Sequence, residues 1–127
     1  MCRIDYIALY VSDLEKEKKF YETYFNGHAG EKYHNPRTGF SSNFISFDSG
    51  CRLELMNKPD VTEAATSLRF GYVHIAISAG SKETVDRLTD RLAADGYEIL
   101  SNPRTTGDGY YESQIAAPEG NVIEITE

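Results

Sequence analysis

Hydrophobic and polar residues alternate with a period of two at the start of this chain, from Ile4 to Val11. Such alternation is typical of a strand with one buried face. Ser12 and Glu15 then form a capping-box signature, and apolar residues at helical spacing predict a helix that stops at Gly27. Three more strands are predicted after this helix, at about residues 28–34, 43–48 and 51–56.

The second half of the chain repeats this order. A strand is predicted at residues 70–78, followed by a helix that Ser81 caps and Gly96 closes. The glycine-rich segment 102–109 is interpreted as a loop. Further strands are predicted at residues 97–100, 110–117 and 121–126.

The pattern therefore predicts an α+β fold made of two βαβββ modules in tandem, whose curved mixed sheets surround a concave cavity. Module one occupies about residues 3–57 and module two about residues 69–127. A polar stretch with irregular periodicity, about residues 58–68, is interpreted as the linker between them.

The two halves align at an offset of about 70 residues, and the alignment pairs four polar positions. Tyr6 pairs with His74, and Glu54 pairs with Glu124, each glutamate lying between two aliphatic residues. In strands, these aliphatic neighbours face the helix, so Glu54, His74 and Glu124 are expected on the uncovered side of the sheets. Converging carboxylates repel each other, and a divalent cation removes that cost. The residue types suit Zn, Ni, Mn, Co or Fe(II).

Composition limits the partners and the location. The net charge is -7, which disfavours nucleic acid and acidic membrane surfaces as partners. No stretch is apolar enough for a signal peptide or a membrane span. The two cysteines, Cys2 and Cys51, are too few for a disulfide framework, which favours a cytoplasmic location.

The motifs resemble those of the vicinal oxygen chelate superfamily, also called the glyoxalase, bleomycin-resistance and dioxygenase superfamily. The resemblance covers the chain from Ile4 to Ile125, and the second half looks particularly like bacterial glyoxalase I. Its most specific segments are residues 6–15, Phe20-Tyr21, 52–56, 71–77 and 118–124.

The resemblance implies a metal site carried by Tyr6, Glu54, His74 and Glu124. It implies a lyase or isomerase that works on a small oxygen-chelating or thiol-conjugated substrate through an enediolate-type intermediate. Glu124 is the first choice for the catalytic carboxylate, and Glu54 is the second.

Tyr6 departs from the family, which normally has His or Gln there. With a reference pKa near 10, tyrosine is a poor ligand for Zn or Ni. It could bind a harder ion, hydrogen-bond a metal-bound water or simply fill space.

Four further residues are candidates for substrate binding. Arg104 lies in the predicted loop and can pair with a carboxylate or phosphate. Aromatic side chains that can line the concave face are Tyr10, Phe44 and Tyr110.

The sequence is also compatible with other functions. The main alternative is a non-enzymatic binding protein like the bleomycin-sequestering relatives, which Tyr6 favours. Addition of thiol or water to an antibiotic, and extradiol dioxygenase chemistry, are disfavoured because both resemblances call for two histidines. The open faces of so short a chain also predict a homodimer.

Overall fold

The computed structural model describes residues 1–64 and 69–127, and the chain divides into two compact units, Met1–Thr66 and Ser67–Glu127. Residues 58–64 of the predicted linker have no helix or strand, and its remaining residues lie outside the described part of the chain. Each unit combines one helix with one mixed sheet, which confirms the predicted α+β class and the tandem βαβββ order.

Unit 1 contains helix α1 and five strands. The elements are β1 (Tyr6–Tyr10), α1 (Leu14–Phe25), β2 (His28–Ala29), β3 (Tyr33–His34), β4 (Ser41–Ser46) and β5 (Arg52–Asn57). The strand order is β1-β5-β4-β2, and β3 also pairs with β4. Strands β1 and β5 are parallel, whereas β4 is antiparallel to its neighbours.

Unit 2 contains helix α2 and four strands. The elements are β6 (His74–Ser78), α2 (Lys82–Ala94), β7 (Ile99–Thr105), β8 (Tyr111–Ala116) and β9 (Val122–Thr126). The strand order is β6-β9-β8-β7, with β6 and β9 parallel and the other pairs antiparallel. The parallel pairing of the first and last strands thus occurs in both units.

Each helix covers one face of its own sheet. In unit 1, Tyr21 of α1 and Leu53 and Leu55 of β5 are buried on the covered face. In unit 2, Ile123 and Ile125 of β9 are buried in the same way beneath α2. Burial of these large side chains is the main stabilising contribution within each unit. The residues between them on each strand therefore lie on the face away from the helix.

Several predicted boundaries were wrong. Asp13, not Ser12, caps α1, and its carboxylate accepts a hydrogen bond from the backbone N–H of Lys16. At the other end of α1, Asn26 is the C-cap and adopts the left-handed conformation (φ 52°), one residue before the predicted stop at Gly27. Glycine is needed at position 27 because the backbone there lies close to the side chain of Ile45. A Cβ at Gly27 would lie only 2.7 Å from Ile45 Cγ2.

Two predicted strands also differ from the structure. The strand expected at residues 28–34 is two short strands, β2 and β3. The strand expected at residues 97–100 extends instead to Thr105, so Asn102–Thr105 belong to β7 and not to a loop. Pairing with β8 along this edge outweighs the local turn preference of Asn102 and Pro103.

Among residues 1–64 and 69–127, no helix is both long and apolar enough to cross a membrane.

Candidate functional site

His74 and Glu124 are in contact on the open face of unit 2. In the parallel pairing of β6 with β9, His74 lies opposite Val122 and Ala76 lies opposite Glu124. The small side chain of Ala76 leaves room beside the glutamate, and His74 Nε2 lies 3.1 Å from Glu124 Oε1. The side chain of His74 is 35% exposed and that of Glu124 is 12% exposed. An imidazole and a largely buried carboxylate are therefore held together at hydrogen-bonding distance.

Gln114 holds the other oxygen of the same carboxylate. It lies opposite Glu124 in the β8–β9 pairing, and its Nε2 donates a hydrogen bond to Glu124 Oε2 at 2.8 Å. Sequence reasoning did not single out Gln114. The available signal was alternation along β8, which places Gln114 between buried Ser113 and Ile115 and so on the same face as the glutamate.

Glu112 adds a second carboxylate to this face, two residues before Gln114. Partial burial and the negative charges of Glu124 and Asp108 raise the pKa of Glu112, and Arg104 opposes that shift. Arg104 lies opposite Glu112 in the β7–β8 pairing. The site in unit 2 is therefore richer in acid than the predicted set, which contained only Glu124 from this unit.

The donor atoms of His74 and Glu124 fit a divalent cation. Two donors bound about 2.1 Å from one ion lie about 3.0–3.4 Å apart at angles of about 90–110°. The 3.1 Å between Nε2 and Oε1 matches this separation. Among the residues that the structure describes, no group of three or more His, Cys, Asp or Glu side chains is arranged to hold a metal ion. Of the predicted ligands, His74 and Glu124 belong to unit 2, and Tyr6 and Glu54 belong to unit 1.

Unit 1 has the same register but different side chains. Tyr6 lies opposite Arg52, and Ala8 lies opposite Glu54, as His74 and Ala76 lie opposite Val122 and Glu124 in unit 2. This equivalence is the one that the internal repeat predicts. Phe44 faces Glu54 across β4 and β5, at the place that Gln114 holds in unit 2.

The side chains of these unit 1 positions form an aromatic and cationic cluster. The rings of Tyr6 and Phe44 meet edge to face, with their centroids 5.1 Å apart. The guanidinium carbon of Arg52 lies 4.4 Å from the centroid of Phe44 and 5.7 Å from that of Tyr6. Arg52 was missed as a functional candidate, because a single arginine in a strand is most often solvated. Its position opposite Tyr6 is visible only from the pairing of β1 with β5.

The other predicted substrate-binding residues are exposed. Tyr10 lies at the end of β1, and Tyr110 directly precedes β8, with about half of each side chain exposed. Arg104 lies in strand β7, and its guanidinium donates a hydrogen bond of 2.5 Å to Ser101 Oγ. Neither Tyr110 nor Arg104 contacts Glu124 directly in the described structure.

Comparison with known proteins identifies the fold. A glyoxalase I mutant from Zea mays matches with a TM-score of 0.81 at 21% identity, over 98% of this chain and 44% of that chain. Glyoxalase I from Leishmania major, described as trypanothione-dependent, matches with a TM-score of 0.78 at 22% identity, over 100% of this chain and 87% of that chain. The present chain thus spans less than half of the Zea mays chain. At these identities, the likeness shows a shared fold.

Sequence comparison identifies the family as well as the fold. The uncharacterized protein YqjT of Bacillus subtilis (strain 168) is 29% identical over 123 residues, which make up 94% of each protein. The family model of the Glyoxalase/Bleomycin resistance protein/Dioxygenase superfamily matches residues 3–125. The resemblance found in the sequence is confirmed, and the chain belongs to the Glyoxalase/Bleomycin resistance protein/Dioxygenase superfamily.

Proposed function

We propose that this protein is a metal-dependent lyase or isomerase of the glyoxalase type, acting on a small oxygen-chelating or thiol-conjugated substrate. The observation that supports this proposal most is the contact of 3.1 Å between His74 Nε2 and Glu124 Oε1, with Gln114 holding the remaining oxygen. A buried carboxylate fixed at both oxygens and placed beside an imidazole is a preorganised pair of metal ligands.

The proposed ligands are His74, Glu124 and Glu54. Glu54 is included because it occupies in unit 1 the register position that Glu124 occupies in unit 2. When bound, a divalent cation such as Zn, Ni, Mn, Co or Fe(II) supplies Lewis-acid stabilisation of a substrate oxyanion. For Tyr6 we favour a contact with substrate over ligation, because its ring packs against Phe44.

Glu124 is the proposed proton-transfer group. Its Oε2 atom accepts the hydrogen bond from Gln114, so the carboxylate keeps one orientation while Oε1 stays on the His74 side. A carboxylate held in this way can take a proton from a substrate carbon and return it to the neighbouring one. Glu54 is the second choice for this role.

Metal content of the purified full-length protein tests the proposal. We expect about one divalent ion per chain by mass spectrometry, and loss of that ion in Glu124→Gln. Glu98→Gln is the matched control, because Glu98 is an exposed glutamate of the same unit that lies outside the proposed site. Absence of metal after incubation with Zn, Ni, Mn and Fe salts would contradict the proposal.

Turnover tests the reaction class separately. We expect the metal-loaded protein to convert a hemithioacetal to the hydroxyacyl thioester, and Glu124→Gln to lose the activity. A protein that binds metal and leaves the hemithioacetal unchanged with every divalent metal would contradict the glyoxalase-type reaction while keeping the metal site.

A second candidate function is non-enzymatic binding of a small molecule, as in the bleomycin-resistance branch of the superfamily. The aromatic cluster of Tyr6, Phe44 and Arg52 favours it, because an exposed ring such as that of Tyr6, beside a cation, suits recognition of a flat ligand. A stoichiometric metal complement would count against this alternative.

We further propose that the protein is a cytoplasmic homodimer. Both cysteines, Cys2 and Cys51, are free thiols, as expected in a reducing compartment. Phe70, Tyr72 and Val73, just before β6, are at least 60% exposed, and association with a second copy would cover such apolar side chains. Light scattering at micromolar concentration should give twice the mass of the chain, and a monomer would contradict the proposal.

A further inference from the structure

We propose that the open face of unit 1 carries an anion-recognition site centred on Arg52, which binds the carboxylate of a small aromatic acid. This site is distinct from the proposed metal ligands, and its occupation by an anion requires no metal.

The strand pairing presents Arg52 on the open face. Leu53 and Leu55, its neighbours along β5, are buried beneath α1, so Arg52 points away from the helix. It lies opposite Tyr6 of β1, and its side chain is 41% exposed. The side chain is therefore within reach of a molecule in solution.

Two contacts fix the orientation of the guanidinium. Its carbon lies over the ring of Phe44, 4.4 Å from the ring centroid. Its Nη2 atom donates to Asp5 Oδ2 at 2.7 Å, which fixes one edge. The guanidinium has five N–H donors, so donors besides the one used by Asp5 can meet a ligand carboxylate. A guanidinium already held in place loses less side-chain entropy when that carboxylate binds.

The local charge favours an anion at this end of the face. Asp5 is shared between two cations, because Arg3 Nη2 also lies 3.9 Å from its Oδ1. Two guanidiniums against one carboxylate leave one positive charge in the group. Glu54 lies on the same face two residues further along β5, so it disfavours an anion there and restricts the carboxylate to the Arg52 end.

The exposed rings define the rest of the ligand. Tyr6 and Tyr10 lie on the same face of β1 and are 47% and 48% exposed. A flat ring can stack on Tyr6, which lies opposite Arg52, while its carboxylate meets the guanidinium, because both aromatic pairs and guanidinium–carboxylate pairs prefer planar groups. The ligand class is therefore an aromatic carboxylate.

Unit 2 lacks every part of this arrangement at the equivalent positions. Val122 stands where Arg52 stands in unit 1, Gln114 replaces Phe44, and His74 replaces Tyr6. The cation and both rings thus occur together only in the unit 1 copy of this four-residue pattern.

Binding of benzoate to the full-length protein, dialysed against EDTA, tests the site. We expect benzoate to shift backbone amide resonances of β1 and β5 in a saturable way at millimolar concentration. Benzamide lacks the charge and cyclohexanecarboxylate lacks the flat ring, so each should bind more weakly than benzoate. Because metal is absent, failure of the metal proposal leaves this experiment unaffected. No saturable shift with benzoate would overturn the inference.

Variants assign the binding to Arg52. Arg52→Gln should weaken benzoate binding about tenfold or more, because a hydrogen bond to a charged group is lost. Arg52→Lys should also bind more weakly than the parent protein, since it keeps the charge and loses the planar donors. Arg87→Gln, an equal change of charge on the exposed side of α2, should leave binding unchanged. Unchanged binding in either Arg52 variant, or an equal loss in Arg87→Gln, would overturn the inference. Thermal melting of each variant verifies that it folds.

Discussion

Gln114 and His74 contact the two oxygens of one carboxylate, and these contacts hold the Glu124 side chain in place on the open face of unit 2. The amide of Gln114 is a neutral donor, so it orients the carboxylate without adding charge beside it. Glu112, nearby on β8, has its own pKa raised by burial and by the negative charge of Glu124. Gln114 is therefore expected to position Glu124 for metal binding.

Gln114→Ala tests this positioning role. We expect the affinity for Zn²⁺ to fall about 10–100-fold, the usual effect of losing a group that orients a metal ligand. Competition with a chromogenic chelator measures the affinity directly. Asn121→Ala, in the turn between β8 and β9, is the control and should bind Zn²⁺ like the parent protein. An unchanged affinity in Gln114→Ala would contradict the role.

At the residue scale, the faces of the strands could be predicted from sequence and the contacts could not. Alternation placed His74 and Glu124 opposite the helix-facing residues, and the structure has them there. The partners that complete each group, Gln114 and Arg52, come from neighbouring strands. Their choice depends on strand register and side-chain orientation, and local periodicity contains neither.

A surface ion pair on α1 gives a pH prediction. Lys18 Nζ lies 2.9 Å from Glu15 Oε2, and this hydrogen bond and charge, with a smaller effect of Lys32, lower the pKa of Glu15. The pKa in the folded state is below that of the unfolded chain, so the stabilisation is present above the unfolded value, about 4.3. It is lost as pH falls through the folded pKa.

Glu15→Gln should therefore be less stable than the parent protein at pH 7 and equally stable near pH 3. The difference at pH 7 should be at most about 0.5 kcal/mol, because the pair is exposed. Urea unfolding across this pH range measures it. Glu98→Gln is the control, because Glu98 has no ion pair among the described residues. A difference in the free energy of unfolding between Glu15→Gln and the parent protein that grows as the pH falls would contradict this prediction.

At the scale of elements, α1 starts one residue later than its sequence signature suggests. Asp13 accepts the hydrogen bond from the Lys16 N–H, and the backbone N–H of Glu17 reaches Asp13 O at 3.1 Å. Asp13→Ala should lower the free energy of unfolding by about 1 kcal/mol. Asp48→Ala, in the exposed turn after β4, should change it much less. Chemical denaturation of both variants distinguishes them, and equal losses would contradict the assignment of the cap.

Strand β7 shows why some elements escaped prediction. Asn102-Pro103 is a turn signal in isolation, and the glycines that follow strengthen it. The segment nevertheless pairs with β8, with register shifts between Ile99 and Ser101 and between Ser101 and Arg104. An edge strand tolerates a proline because one side of its backbone needs no partner in the sheet. Tertiary pairing therefore decided the structure of this segment.

At the scale of the whole molecule, the internal repeat made the architecture predictable. Two segments of one pattern gave the same order of elements twice, so each half supported the order assigned to the other. The two sheets have equivalent strand orders, β1-β5-β4-β2 and β6-β9-β8-β7. The assembly of chains is a separate question, because it depends on surface side chains outside the repeated pattern.

The proposed homodimer makes a prediction about Phe70 and Tyr72, whose side chains are almost fully exposed. The double variant Phe70→Ser, Tyr72→Ser should shift the dimer towards monomer at a given concentration, because apolar area buried on association is lost. Sedimentation equilibrium measures the change. Leu100→Ser, at an exposed apolar residue of β7, is the control. A dimer unchanged by the double substitution would place its interface elsewhere.

The shared register of Tyr6–Arg52 and His74–Val122 has an evolutionary consequence. After a duplication, each copy of a position mutates independently, so one copy can change its ligand preference while the other keeps its chemistry. Independent change of the two copies accounts for the aromatic and cationic cluster in unit 1 and the hydrogen-bonded carboxylate in unit 2. New specificities in descendants of this chain should therefore accumulate as substitutions at Tyr6, Phe44 and Arg52, with His74, Gln114 and Glu124 retained.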